Sequence, residues 1–401
     1  MVRVANTLVP LPAPCPPGRV PRVCVVVGDA VSAVKLAPVV VAMRERDRVR
    51  PLVLACGTGA AGAVAALAEF GLTPDHTTAP APAEGDGSCA AALLADLDEV
   101  FAGREPDAVL VQGDSATAFS AAMAAFYQQV PVVHLDAGVR SFDLTAPFPQ
   151  EGHRRLIAQV SSLHLAATPD AVANLAEEAH TGPKVLTVGS TAVDAALAAL
   201  DRHTGHADPG VRELAAAVAA GRARVVPVVL DPDRWSREAA SAVLRGVGDL
   251  VLATPDLEVV LPAAGELRER AEDLLGRLVR VTITDPLPQP ALLALLSAAA
   301  AAVTDSAALA EQAPTFGVPV LVVGGERGGW AEPDRAGHPW TAGPDRAVVA
   351  RIAEKLVLSR VRRRPPSNPF GDGRAAARCE QAVQWLLGLR PRPGEFAPPA
   401  R

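Results

Sequence analysis

The chain has 401 residues, of which 49% are hydrophobic, 20% charged and only 3% aromatic, and its formal net charge is −6. This length allows two domains of ordinary size, and alanine, valine and leucine must fill most of their cores. The mild negative charge and the lack of a long basic run argue against a nucleic-acid or membrane-surface partner. No stretch approaches the ~18 consecutive apolar residues of a membrane span, so we expect no membrane insertion.

Prolines dominate the first 21 residues, which read MVRVANTLVPLPAPCPPGRVP. Because proline cannot continue a helix, this segment predicts an extended, disordered tail and not a secretory signal.

The five cysteines are scattered along the chain and lack C-x-x-C spacing. They predict reduced thiols in a cytoplasmic protein with no metal site.

The first half of the chain alternates between short apolar runs and helical segments. Buried parallel strands are predicted at residues 23–28, 50–57, 107–114 and 130–138. Helices are predicted between them, at residues 33–46, 60–71, 89–103 and 117–128. Such alternation predicts a doubly wound parallel sheet. We assign it to an N-terminal Rossmann-like domain at 22–200.

After a polar stretch at 200–212 the alternation restarts. Further strands are predicted at residues 224–231, 258–263, 280–285, 301–306 and 319–325. They predict a second Rossmann-like domain at 201–372, followed by an amphipathic helix at 373–390 and a disordered tail at 391–401. The predicted fold class is therefore α/β, with two doubly wound parallel-sheet domains facing across a cleft. In such sheets ligands bind at the carboxyl ends of the strands.

Three carboxylates stand at or near such strand ends in the first half. Asp114 and Asp136 end two predicted strands, and Glu151 lies where a helix is expected to begin. Carboxylates gathered at one sheet edge can perturb each other's pKa, as general acid/base chemistry requires. The structural alternative is that the aspartates cap helices and that Glu151 pairs with Arg154 or Arg155. Spacing alone favours this structural alternative.

The block VLVQGDSATAFSAAMAAFYQQVPVVHLDAGVRSFDLTAPFPQEGHRRLI at 109–157 closely resembles the signature region of the non-hydrolysing UDP-N-acetylglucosamine 2-epimerases. That family has Gly-Asp-Thr at the first acidic turn, His-Val-Glu-Ala-Gly-Leu-Arg at the second, and a Pro-Glu-Glu helix start. Further collinear matches lie at 165–179, 188–197 and 304–323.

The resemblance implies a GT-B-like fold whose second domain binds nucleotide. It implies an isomerase that interconverts UDP-GlcNAc and UDP-ManNAc by elimination and re-addition of UDP, with a UDP-sugar as ligand and no cofactor. It also implies a homodimer and a C-terminal helix that crosses back to the first domain. The alternative for that helix is a simple cap on the second domain.

Carried over position by position, the family's catalytic carboxylates fall on Asp114, Asp136 and Glu151. The second of these is a glutamate in the family, so its reach is shorter here by one methylene. The resemblance also implies substrate-binding positions, at Lys35, Arg154, Ser306, Ala307, Ala308, Glu311 and Gln312. The two alanines replace glycines that let the backbone approach the diphosphate, and the glutamine replaces a ribose-binding glutamate.

Several positions that hold the ligand in the family have changed. Ala30 stands where the family has a substrate-binding arginine, beside the acidic Asp29. Leu230 stands at the position of a catalytically important histidine, and Asp231 and Pro232 replace the arginines after it. Each lost charge-assisted contact costs about 1.5–3 kcal/mol. Two or three such losses predict binding that is weaker by orders of magnitude.

The sequence leaves three functions open. The retained carboxylates and Lys35 favour an active epimerase. Leu230, Ala30 and the alanine pair favour a catalytically impaired sugar-nucleotide sensor, scaffold or partner subunit. A GT-B-like glycosyltransferase with repurposed residues is permitted by fold analogy alone.

Overall fold

Parallel strands alternate with helices in the computed structural model, which describes residues 19–78, 85–202, 205–231, 235–324, 340–358 and 368–398. The predicted disordered tail before residue 19, and Pro232, lie outside these residues. Unit 1 of the structure runs to Ala195 and resumes at Phe370–Pro398. Unit 2 lies between Ala196 and Pro369.

Unit 1 is built on a parallel sheet. Its strands are β1 (Arg22–Val27), β2 (Arg50–Cys56), β3 (His76–Thr78), β4 (Ala108–Gln112), β5 (Val132–Leu135), β6 (Leu163–Ala166) and β7 (Val185–Thr187). They lie in the order β3-β2-β1-β4-β5-β6-β7. The helices between and after them are α1 (Ala30–Arg46), α2 (Ala60–Ala68), α3 (Asp86–Arg104), α4 (Ala116–Tyr127), α5 (Gln150–Val160), α6 (Pro169–Glu177) and α7 (Thr191–Leu200).

Unit 2 repeats this plan. Its strands are β8 (Arg224–Val229), β9 (Leu257–Pro262), β10 (Val281–Thr284), β11 (Ala302–Thr304), β12 (Val320–Val323) and β13 (Thr341–Ala342), in the parallel order β10-β9-β8-β11-β12-β13. Its helices are α8 (Pro209–Ala219), α9 (Arg237–Ala253), α10 (Gly265–Leu275), α11 (Gln289–Ser297), α12 (Ala307–Gln312), a 3-10 helix (Ala313–Phe316) and α13 (Arg346–Leu358). A last helix, α14 (Ala375–Leu386), belongs to unit 1. The two doubly wound parallel sheets confirm the predicted α/β fold class and its two parallel-sheet domains.

The strand order of each sheet reverses beside its first strand. β1 lies between β2 and β4, and β8 lies between β9 and β11. Chain connections leave such a point in opposite directions and open a crevice at the carboxyl ends of the strands. These ends lead to Gly28 and Gly113 in unit 1, and to Leu230 and Asp305 in unit 2. The turns at these residues are therefore the places to look for chemistry.

The boundary between the units falls inside α7, whereas the sequence places it in the polar stretch that follows. Ala195 is buried in the core of unit 1. Ala196 and Ala199 are buried against Leu293 and Leu309 of unit 2.

Helix α14 packs against α1 in unit 1. Cys379 and Val383 are fully buried in a cluster with Leu36 and Val40 of α1. The N-terminus of α14 is held by Asp194, whose carboxylate accepts the N–H groups of two α14 residues at 3.2 and 2.9 Å. Burial raises the pKa of Asp194 to about 6.

The residues after α14 are ordered through Pro398, although their prolines predict a disordered tail. Phe396 is only 6% exposed, and its N–H donates to the carbonyl of Thr187 at 2.7 Å. Glu395 accepts the N–H of Thr187 at 2.8 Å. One buried ring and two hydrogen bonds to the end of β7 hold this segment in place.

Within the part of the chain that the structure describes, no helix has the length and apolar character needed to cross a membrane. The same residues contain no group of three or more His, Cys, Asp or Glu side chains arranged to hold a metal ion.

Candidate active site

Two of the predicted carboxylates lie at neighbouring strand ends of unit 1. Asp114 follows β4 and Asp136 follows β5, and these strands pair in parallel. Glu151 lies in the first turn of α5. Arg154 joins two of the three, because its Nε donates to Asp114 Oδ2 at 2.6 Å and its Nη1 to Glu151 Oε2 at 3.4 Å. The structure therefore brings Asp114 and Glu151 together on one guanidinium.

Glu151 is fully buried, and both of its carboxylate oxygens are engaged. Oε2 accepts the backbone N–H of Ser141 at 2.9 Å. Oε1 accepts the N–H of Phe142 at 3.3 Å and Arg155 Nε at 3.1 Å. Glu151 thus pairs with both Arg154 and Arg155, as in the structural alternative. A carboxylate held by amides and guanidiniums is a fixed anion, and this one anchors the loop at residues 141–142.

Asp136 forms a buried ion pair with Lys35. Lys35 Nζ donates to Asp136 Oδ2 at 2.8 Å, and the two side chains are 5% and 7% exposed. Gln112 Nε2 donates to the same oxygen at 2.7 Å. The other oxygen, Oδ1, is buried and has no hydrogen-bond partner among the described residues. Asp136 therefore has one oxygen held in place and a second that can accept a proton or a ligand donor.

Gln112 and His153 are site residues that sequence reasoning missed. Gln112 is the last residue of β4, and its position at a strand end was the available signal. His153 Nδ1 lies 2.9 Å from the carbonyl oxygen of Asp114. Its ring stacks on Phe119, with ring centroids 4.7 Å apart and an interplanar angle of 6°. A polar ring therefore lies at the Asp114 turn.

The first turn of α1, which carries Ala30, is closed by its own side chains. Asp29 is the N-cap, and its Oδ1 accepts the N–H of Ser32 at 2.7 Å. Ser32 Oγ accepts the N–H groups of Asp29 at 3.0 Å and of Gly28 at 3.1 Å. Free N–H groups at helix N-termini bind phosphate, but here the N–H groups of Ser32 and Asp29 are used in a capping box, and that of Gly28 donates to Ser32 Oγ. The exposed Ala30 adds no charge.

The turn after β8 in unit 2 is closed in a similar way. Leu230 is 5% exposed and belongs to the core of unit 2. The N–H of Asp231 lies 3.1 Å from both carboxylate oxygens of Asp305. Trp235 Nε1 donates to Asp305 Oδ2 at 2.7 Å. The position predicted to correspond to a histidine is therefore apolar and buried, and the Asp305 carboxylate satisfies polar groups of its own unit.

The remaining predicted ligand positions lie together on one short helix after β11. Ser306 is the N-cap of α12 and accepts an N–H from within that helix. Ala307 and Ala308 open the helix and are half-buried, as is Glu311. Gln312, at its end, is only 2% exposed. The side chain predicted to bind ribose is therefore enclosed by unit 2.

Two buried histidines lie on the strands that support Asp136. His134 of β5 is in register with His164 of β6, and Nδ1 of each ring has no hydrogen-bond partner among the described residues. His134 Nε2 lies 2.9 Å from the carbonyl oxygen of Gly113. Burial lowers the pKa of His134 to about 4. Burial, with the nearby His134 as the next cause, lowers the pKa of His164 to about 3.

Breaking the Lys35–Asp136 pair is expected to cost about 3 kcal/mol of unfolding free energy. Lys35→Met leaves a buried carboxylate without its cation, and such unpaired charges destabilise strongly. The double variant Lys35→Met/Asp136→Leu removes both charges and should recover most of the loss. Urea unfolding followed by circular dichroism measures both.

The exposed Arg346–Asp249 pair serves as the matched control. Its side chains are 57% and 36% exposed, so Arg346→Met should cost less than about 1 kcal/mol. Equal losses for Lys35→Met and Arg346→Met would show that burial does not strengthen the Lys35–Asp136 pair.

Comparison with known proteins gives a consistent result. A family model described as UDP-N-acetylglucosamine 2-epimerase matches residues 41–384. A relative from Thermotoga maritima is 30% identical over 383 residues, which cover 94% of this chain and 99% of the relative. The UDP-N-acetylglucosamine 2-epimerase of Salmonella borreze is 28% identical, with 88% and 96% covered. The structure of S. aureus MnaA with UDP superposes with a TM-score of 0.83 at 26% identity and covers 94% of this chain and 100% of that one.

Proposed function

The chain belongs to the UDP-N-acetylglucosamine 2-epimerase family, and from this premise we propose that it binds a UDP-sugar while its C2 epimerisation is severely impaired. The observation that carries the proposal is the burial of Leu230 in the core of unit 2. By resemblance this position belongs to the family's catalytic histidine. A leucine side chain can neither donate nor accept a proton, so one acid/base group of the family reaction is missing.

The turn at the start of α1 supports the same proposal. The N–H groups of Gly28, Asp29 and Ser32 are satisfied within the chain, and Ala30 supplies no cation. Asp231 likewise stands where the resemblance places an arginine, and two lost charge-assisted contacts amount to about 3–6 kcal/mol. This corresponds to binding about 10²- to 10⁴-fold weaker than in a family member with an intact turn.

Retention of UDP-sugar binding rests on the remaining polar groups and on the relatives. Lys35 and Arg154 are present at positions that the family resemblance assigns to the substrate. The S. aureus protein, at 26% identity, was solved with UDP. A sugar-nucleotide sensor or a partner subunit is the role that fits such a site, because it needs binding without turnover.

The second candidate is an active UDP-GlcNAc 2-epimerase, and one observation favours it. Oδ1 of Asp136 is buried and without a partner among the described residues, as a general base needs. In this mechanism a carboxylate takes the C2 proton as UDP leaves C1. UDP then re-adds after a proton returns to the opposite face. No described residue favours the glycosyltransferase alternative.

One experiment separates the two candidates. The purified protein is incubated with UDP-GlcNAc in D₂O, and NMR follows deuterium at C2 and the formation of UDP-ManNAc. The proposal predicts little or no exchange together with a thermal shift in the presence of UDP. Rapid exchange would establish the active epimerase instead, and the absence of both signals would contradict UDP-sugar binding.

Leu230→His tests the cause of the impairment, with Leu230→Met as a control that adds no titratable group. If the missing imidazole is the main defect, the His variant gains C2 exchange and the Met variant does not. Melting curves of both variants establish that they fold. A folded His variant that still lacks exchange would show that the missing imidazole is not the main defect.

A further inference from the structure

A pocket of about 250 Å³ lies between α9 and α10 of unit 2. It is lined by Arg237, Glu238, Ser241, Arg245 and Arg270. Arg237, Ser241 and Arg245 recur every four residues of α9, so they share one face of that helix. We propose that this arginine pocket, separate from the strand-end turns described above, binds the phosphoryl group of a small ligand.

The positive charge of the arginine pocket is only partly neutralised within the protein. Among the described residues its three arginines make no ion pair. Arg268, two residues before Arg270, pairs with Glu272 at 2.8 Å, and Asp249 of α9 pairs with Arg346 at 2.6 Å. Glu238 balances one of the three positive charges that line the pocket, and the charge left unbalanced makes the guanidiniums repel one another. In a chain with a net charge of −6, this local positive charge is what an anionic ligand would neutralise.

One of the three guanidiniums is held in place before a ligand arrives. Arg270 Nη1 donates to Ser241 Oγ at 3.0 Å. Ser241 Oγ in turn donates to the carbonyl oxygen of Arg237 at 2.7 Å. Ser241 is only 7% exposed, so this buried hydroxyl has a fixed orientation. Binding then costs less side-chain entropy at Arg270.

The residues that line the pocket indicate which class of ligand it binds. Guanidinium groups bind phosphate in a bidentate manner. Three arginines and Glu238 leave a charge of about +2, which a phosphoryl dianion matches. The pocket volume of about 250 Å³ exceeds that of one phosphate ion. The ligand is therefore either free phosphate with ordered water or a phosphate ester with a small body.

Isothermal titration calorimetry of the full chain at low salt, with inorganic phosphate and with glucose 1-phosphate, tests the proposal. We expect Arg245→Ala/Arg270→Ala to weaken binding at least about 10-fold, and Arg268→Ala to leave it unchanged. Tighter binding of the ester identifies a phosphorylated metabolite, and equal binding identifies phosphate itself. Absence of binding of either probe, or binding that the double variant retains, would overturn the proposal.

Two further measurements keep the result independent of folding and of the proposed UDP-sugar site. Arg245→Gln/Arg270→Gln keeps polar side chains in the pocket and should lose binding to the same extent with an unchanged melting temperature. The thermal shift with UDP should persist in both double variants. Loss of phosphate binding together with the UDP shift would show that the arginine pocket is not a separate site.

Discussion

Gly138→Ala is expected to destabilise unit 1 by about 5 kcal/mol, enough to remove most of the folded protein. Gly138 has φ = 92°, a region that side chains rarely adopt. A Cβ there would lie 2.2 Å from the carbonyl oxygen of Ala171 and 2.7 Å from its carbonyl carbon. The clash is with backbone, which cannot rotate away as a side chain could. The loss should appear as a lower urea midpoint or as insoluble expression.

Gly182→Ala is the matched control. Its φ is 91°, almost identical to that of Gly138, but no atom lies within 4 Å of the added Cβ. The control therefore carries only the backbone penalty, about 1–2 kcal/mol. The difference between the variants measures the close approach of the turn after Asp136 to α6. Equal costs for the two variants would rule out that close approach.

The strands show how much of this fold the sequence could predict. The apolar runs that end in Gly or Asp predict β1, β4 and β5 at nearly the observed residues, because each run is long enough to carry its own pattern. Four strands were missed: β3, β6, β7 and β13. They span only two to four residues. Such short segments become strands through pairing with a neighbour, as His164 does with His134.

The residues of the candidate site divide in the same way, into those that a local motif identifies and those that only the folded chain brings together. Leu230 and Ala30 could be identified in the sequence because each stands within a local motif. The pairing of Ser32 with Asp29 is also local, since Asp-x-x-Ser is a capping pattern. The pairing of Lys35 with Asp136 joins residues 101 positions apart, and no spacing rule contains it. This is why the family resemblance could assign Lys35 to substrate binding but could not predict its pairing with the Asp136 carboxylate.

The two buried histidines are expected to make folding strongly dependent on pH. In the folded protein the pKa of His134 is about 4 and that of His164 about 3, whereas both titrate near about 6.5 when unfolded. Below pH 6.5 the unfolded chain binds protons that the folded chain does not, so stability falls as the pH falls. Between pH 6.5 and 4 each histidine lowers the free energy of unfolding by about 3 kcal/mol, at about 1.4 kcal/mol per pKa unit.

Protonation of Asp194 has the opposite effect, because it stabilises the folded protein as the pH falls. Its folded pKa is raised to about 6, so below pH 6 the folded state binds its proton before the unfolded state does. This gain is about 3 kcal/mol by pH 4. The two histidines together outweigh it by about 3 kcal/mol. We therefore expect a net loss of stability between pH 6.5 and 4, measured by urea unfolding at half-unit pH steps.

His164→Gln isolates one histidine from all other titrating groups. The wild-type ring faces His134, His180, Arg140 and Lys184, all of which lower its pKa. Removing it should reduce the pH-dependent loss by about 3 kcal/mol, whatever its effect at pH 7. His164→Phe, which keeps a ring but cannot titrate, should reduce the pH-dependent loss equally. The contrary result is a difference in unfolding free energy, between wild type and both His164 variants, that does not change with pH. It would show that the folded and unfolded proteins bind a proton at His164 equally well.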